Sequence, residues 1–220
     1  MAINREDTTM VTEDDDFSVQ NASTIADRPS SAISSGWDAP GAGGGNYPVD
    51  FKFIDSQFQI VKFLDPEATP FAAYKEHWLT QKTSGKRSYI SLGANDPLVT
   101  KLGSKPREIR AFTIANLSAE GGPQRQVLKA TPRLYKSLYA AHHNAQFGPL
   151  HRGYWALSRT GEMAAIAYQV NSVKERDLQE DWGIDIAAFG PLIAEMKPYD
   201  RSIFKEPTWE ELEAIADALS

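Results

Sequence analysis

Between residues 47 and 171 the chain is built of short runs that mix β-branched, aromatic and polar residues, each stopped by Pro, Gly or Asn. This rhythm constrains the fold more than any other feature, because period-two runs bury a face each and must be paired into a sheet. The runs are QFQIVKFL (57–64), PFAAYKEHWL (70–79), KRSYISLG (86–93), REIRAFTIANL (107–117) and RQVLKA (125–130). One helical signal interrupts them. Thr131-Pro132 reads as an N-cap with proline at the first helical position, and Leu134, Leu138 and Ala141 follow at helical spacing. Gly148-Pro149 ends that helix, and GYWALSR (153–159), a Thr160-Gly161 turn and MAAIAYQVN (163–171) form a hairpin. Four or five strands, one helix and a closing hairpin is the order of a five-stranded OB-type Greek-key barrel; a β-sandwich or small α+β domain also accommodates strands at this spacing.

The expected organisation has three parts. Residues 1–46 carry the acidic run Glu13–Asp16, a Ser/Ala stretch and Gly41–Gly45, with too little apolar surface to offset ordering, and are expected to be disordered. Residues 47–180 form the mainly β domain with its single inserted helix. Residues 181–220 form an acidic helical tail. In it, Asp185 caps a helix over 186–196, and Thr208 and Glu211 make a capping box. Trp209, Leu212, Ile215 and Leu219 give that last helix an apolar stripe, which serves either the domain core or a docking partner.

Charge is segregated along the chain. Residues 1–50 carry 2 basic and 9 acidic side chains, residues 51–180 carry 18 and 11, and residues 181–220 carry 3 and 9. The net charge of −6 therefore conceals a basic centre able to neutralise phosphates locally. The basic region also interleaves cations with flat side chains, the two devices that hold a single strand. Lys62, Tyr74, Trp78, Lys86, Arg87, Tyr89, Arg107, Arg110, Phe112, Trp155 and Arg159 are the candidate contacts. On 86–92, Arg87, Tyr89 and Ser91 share one face and Ile90 and Leu92 the other, so the first is the expected DNA face. For any one of the aromatics, a place in the barrel core is the competing assignment.

Enzyme chemistry is not expected. There is no GxxxxGK[ST], GxGxxG or GxSxG motif, and acids in the basic strands stand singly. His142 and His143 are adjacent on a helix and point about 100° apart, which is no ligand face. No cysteine is present, so disulfides and thiolate zinc sites are excluded and neither cofactor nor metal is expected. With no apolar run of membrane-spanning length and no secretion-type N-terminus, a cytoplasmic location is expected.

From Gly36 onward the chain resembles the single-stranded DNA-binding proteins of actinobacteriophages. SGW (35–37), VDFKF (49–53), QIVKFLD (59–65), PFAAYKEHWL, GKRSYISLG (85–93), DPL (96–98), KPR (105–107), AFTIANL (111–117), VKERDLQED (173–181) and EELEAIADAL carry the resemblance. It implies an OB fold, sequence-independent binding of single-stranded DNA in phage replication or recombination, and protein partners for the acidic tail. An adaptor or inhibitor on the same scaffold and a strand-annealing protein are the alternatives. In one respect the chain departs from these proteins, which carry a zinc knuckle. His77 stands at the first ligand position, but Ser91, Asp96 and Val99 stand at the three thiolate positions. Serine and valine cannot replace thiolates on zinc, so the loop is expected to hold without metal.

Overall fold

Strand β4 (Arg107–Asn116) is apolar on both faces, the pattern of a strand covered on two sides. In the computed structural model, which describes residues 49–81, 85–162 and 165–220, β4 is paired along both edges. One edge carries β5 (Gln124–Ala130), from Arg110↔Ala130 to Asn116↔Gln124. The other carries two strands in succession. β2 (Ala72–Gln81) runs from Ala72↔Ala111 to Glu76↔Arg107, and β1 (Gln59–Phe63) pairs Phe63↔Ile114 through Val61↔Asn116. β1 and β2 are thus collinear, one strand interrupted by residues 64–71, which leave the ladder and return. Asp65 pins that excursion by accepting a hydrogen bond from the Thr113 N–H at 2.6 Å, while Leu64 and Phe71 donate backbone N–H to Thr113 and Ala111 carbonyls.

The remaining strands extend the sheet. β3 (Gly85–Ile90) pairs with β2, β6 (Tyr154–Thr160) with β1, and β7 (Ala167–Val173) with β6. The result is seven antiparallel strands in the order β3-β2-β4-β1-β6-β7, with β5 on β4. Five strands were expected; the excursion at 64–71 divides one strand in two and the β2–β3 hairpin projects as an additional arm. The sheet is open. Among the described residues no ladder joins β5 to β7, and the expected helix, α2 (Pro132–His142), contacts both. Thr131 is its N-cap by backbone conformation, but makes no side-chain capping bond.

One sheet face holds Val61, Phe63, Phe112, Ile114, Leu128, Trp155 and Leu157, closed by Leu134 and Leu138 of α2 and by Phe51. Phe63 and Phe112 meet edge to face at 5.6 Å, a geometry that adds about 1 kcal/mol beyond area burial. The opposite face is covered by the C-terminal segment. Leu178 of α3 (Glu175–Trp182), Ile184 in the connection that follows and Ile193 of α4 (Ile186–Glu195) lie over Ile60, Ala115 and Ala156, and Phe204 lies over Tyr74, Ile109 and Val127. In α5 (Trp209–Leu219), Leu212 and Ala216 pack on Leu98 of the short helix α1 (Pro97–Thr100).

The tail helices start where the capping residues predict, with Asp185 accepting from Ala187 and Ala188 N–H and with the Thr208–Glu211 capping box formed. Helices α1 and α3 fall in stretches with no helical expectation. The apolar stripe of α5 needs correcting as a partner site: Leu212 is fully buried, Ile215 and Leu219 are half-buried, and only Trp209 is exposed. Its apolar side chains find a partner within the chain, and Lys101 locks the contact through Glu213 at 2.9 Å and Asp217 at 2.7 Å. The segment expected to be disordered, 1–46, lies outside the described residues. No helix among those described is long and apolar enough to cross a membrane.

Candidate nucleic-acid interface

The β2–β3 hairpin and the loop at 91–106 form a lobe beside the sheet. Its centre is a closed polar network around Asp96, the N-cap of α1. Asp96 Oδ2 contacts His77 Nε2 at 2.9 Å and accepts from the Ser91 hydroxyl at 2.6 Å and the Leu92 N–H at 3.1 Å, while Oδ1 accepts from the Val99 N–H at 3.0 Å. His77 Nδ1 reaches the Ser104 hydroxyl at 2.9 Å. The four positions singled out by the knuckle comparison therefore do converge, but through hydrogen bonds on one carboxylate. Burial opposes the Asp96 charge, and the Ser91, His77 and Val99 donors more than offset it, holding its pKa below the ordinary value. Among the described residues no group of three or more His, Cys, Asp or Glu could hold a metal ion.

Cations lie over aromatic rings at several places. Arg107 sits 5.0 Å from the ring of Trp78, which is 50% exposed, and its Nε and Nη2 both donate to Glu76 Oε1. Arg110 sits 4.3 Å from Tyr135, and the ladder continues along α2 to Tyr139 at 6.0 Å and His143 at a further 4.0 Å. These rings are four residues apart, so they line one side of the helix, tilted by 52° between Tyr135 and Tyr139 and stacked between Tyr139 and His143, and Arg133 and Lys136 are exposed on the same helix. Lys62 lies 4.7 Å over Tyr154, and its partial burial lowers its pKa. On the outer face of β5, Arg125 lies 4.1 Å from Tyr199 and Lys129 5.8 Å from Phe204, so the tail covers that surface.

Several expected contacts move into the core. Phe112 is fully buried, Trp155 is 2% exposed and donates its indole N–H to the Leu150 carbonyl at 2.8 Å, and Tyr74 is 3% exposed under Phe204. The expected face Arg87–Tyr89–Ser91 also divides. Ser91 belongs to the Asp96 network and Tyr89 packs with the Leu98 cluster, leaving Arg87 exposed. Lys86 pairs with Thr80 in the hairpin, and its side chain lies outside the described residues. Arg159 is half-buried and paired with Asp55 at 3.4 Å. Trp78 and Arg107 are the candidates brought into a cation–ring pair on accessible surface; Arg110 lies over the half-buried Tyr135 and is ion-paired with Glu108 at 3.4 Å, and Lys62 lies over the buried Tyr154. The Tyr135–Tyr139–His143 ladder was not anticipated, although its four-residue spacing is visible in the sequence.

A cleft of about 500 Å³ opens between the outer face of β2–β3 and the tail, lined by Tyr74, Glu76, Ser88, Ile90, Phe204 and Ile215 among others; Trp78 does not line it, but its strand partner Ser88 does. No family model, curated protein or solved structure matches the chain.

Proposed function

We propose that this protein binds single-stranded DNA, chiefly through backbone phosphates and base stacking, as a coating protein in phage replication or recombination in the host cytoplasm. The observation that carries the reading is the repeated pairing of a cation with an accessible ring, at Arg107–Trp78 and along Arg110–Tyr135–Tyr139–His143. Exposed rings give unstacked bases a platform worth roughly 1–3 kcal/mol each, while Arg107 and Arg110, ion-paired with Glu76 and Glu108, reach phosphates by sharing their donors between carboxylate and strand. Strand order supports an OB origin. With β1 and β2 counted as one interrupted strand and the β3 arm set aside, five strands run β5-β4-β1/β2-β6-β7, with α2 between the third and fourth in sequence. An OB barrel is partly open, and α2 stands where its closing pair would meet. The reading assigns the chain no catalytic step.

The test is an anisotropy titration with single-stranded and duplex oligonucleotides over a salt series. Binding should favour the single strand, with log affinity falling against log salt at about −0.7 per phosphate neutralised. Equal affinity for duplex refutes the proposal. A protein-adaptor reading draws on a different observation, the tail seated over Arg125 and Lys129 on the outer face of β5. Salt-independent, negligible binding to every oligonucleotide would favour it.

A further inference from the structure

We infer that the cleft between the β2–β3 hairpin and the tail is a base subsite that discriminates among bases through the carboxylate of Glu76, which rests on the single-strand reading above. Trp78, Glu76 and Tyr74 alternate along one face of β2, and Ser88 and Ile90 stand opposite Trp78 and Glu76 on β3. Trp78 is the exposed platform at one end of this row, while Glu76 and Tyr74 lie in the cleft. Successive positions on a strand face are about 6.8 Å apart, a distance that one nucleotide of an extended chain spans. A base stacked on Trp78 therefore delivers its neighbour to the cleft mouth.

The cleft fits a flat heterocycle with a polar edge. Tyr74, Ile90, Phe204 and Ile215 supply apolar walls and Ser88 a hydroxyl. Both bonds from Arg107 go to Glu76 Oε1, and none of the hydrogen bonds formed among the described residues ends on Oε2. The Glu76 side chain is 5% exposed and lines the cleft, so its second oxygen is an acceptor in a largely desolvated setting. The charge balance around the cleft disfavours phosphate as the occupant, since Lys129 is paired with Asp50 and Lys205 with Glu211.

An acceptor without a donor selects bases by their edge. The amino group of cytosine donates to a carboxylate, whereas thymine presents two carbonyls flanking a single N–H, so a carboxylate meets repulsion there. Bases that carry an exocyclic amino donor, with cytosine the one of pyrimidine size, are the favoured occupants and thymine the disfavoured one, in a protein whose other contacts are indifferent to sequence.

The experiment compares full-length protein binding to oligocytidine and oligothymidine of one length, for the unaltered chain, Glu76→Gln and Ile90→Trp, with melting curves for each. Oligocytidine should bind about tenfold tighter per occupied subsite, a single charge-assisted hydrogen bond. Glu76→Gln, which can donate as well as accept, should bring the two within about twofold. Ile90→Trp should fill the floor, abolish the preference and leave weaker, stacking-driven binding to both. Equal affinity of the unaltered chain for the two oligonucleotides overturns the subsite, as does a preference that survives Ile90→Trp in a folded protein. If Glu76→Gln does not fold, the unaltered chain and Ile90→Trp still decide it. Absence of binding to either oligonucleotide overturns the single-strand reading itself, a distinguishable outcome.

Discussion

Replacing Asp65 with asparagine should stabilise the protein at neutral pH and remove a specific pH dependence. Asp65 is 2% exposed and accepts the Thr113 N–H at the excursion between β1 and β2, while its Oδ1 is buried without a partner. Burial raises its pKa from 3.8 to about 7, against the opposing effect of the Thr113 bonds. A folded-state value above the unfolded one means that the native protein holds a proton the unfolded chain has released. Stability is therefore full below the unfolded pKa and falls as pH rises toward the folded one. Each unit of that interval costs about 1.4 kcal/mol, so the whole interval amounts to about 4 kcal/mol at most. The side-chain amide introduced by Asp65→Asn would keep an oxygen for Thr113 but never ionise. Its N–H donors have no obvious acceptor at the Oδ1 position, which returns about 1–3 kcal/mol. The net expectation is a gain of about 1–3 kcal/mol near pH 8 and parity or a loss near pH 5. Urea unfolding of both proteins across that range, read by tryptophan fluorescence, measures it. If Asp65→Asn is less stable near pH 8, or if the difference between the two proteins does not change with pH, the buried-proton account of this loop is wrong.

Three further outcomes follow from the same geometry. Asp96→Ala should cost about 3–5 kcal/mol, because His77, Ser91 and the Val99 N–H lose a shared acceptor, while a strong zinc chelator should leave the melting temperature of the unaltered chain unchanged. Leu212→Ala should destabilise by about 2–5 kcal/mol in urea melts, as expected of a core side chain on Leu98; a neutral result would restore α5 as a free docking helix. Tyr139→Ala should weaken single-strand binding by roughly 1–3 kcal/mol with an unaltered salt slope and melting temperature, whereas Phe112→Ala should cost about 3–5 kcal/mol of stability; the reverse pattern would place stacking in the sheet interior.

Local signals carried much of the fold. The period-two runs at 57–64, 107–117 and 125–130 became β1, β4 and β5, and the Asp185 and Thr208 caps mark true helix starts. What alternation could not tell was which faces would be covered by distant chain. Phe112 shares its face with Arg110, and only the arrival of Phe63 and α2 makes it core while Arg110, one step along, reaches Tyr135. Tyr74 was available as a stacking ring until Phe204, far along the sequence, closed over it. Cation–aromatic interleaving is thus ambiguous in a strand, since the same residues serve a ligand or a returning tail. The Tyr135, Tyr139 and His143 spacing is different in kind: a helical repeat of rings is a local pattern, legible without knowledge of any distant segment.

The lobe around Asp96 is completed by groups the chain itself supplies. A carboxylate that caps its own helix, a serine and a histidine occupy the centre of the loop and tie it to the β2–β3 hairpin, since His77 stands on β2 and Ser91 directly follows β3. With no cysteine in the chain, the lobe offers no thiol to an oxidant, so the packing of the loop on the hairpin is indifferent to thiol oxidation.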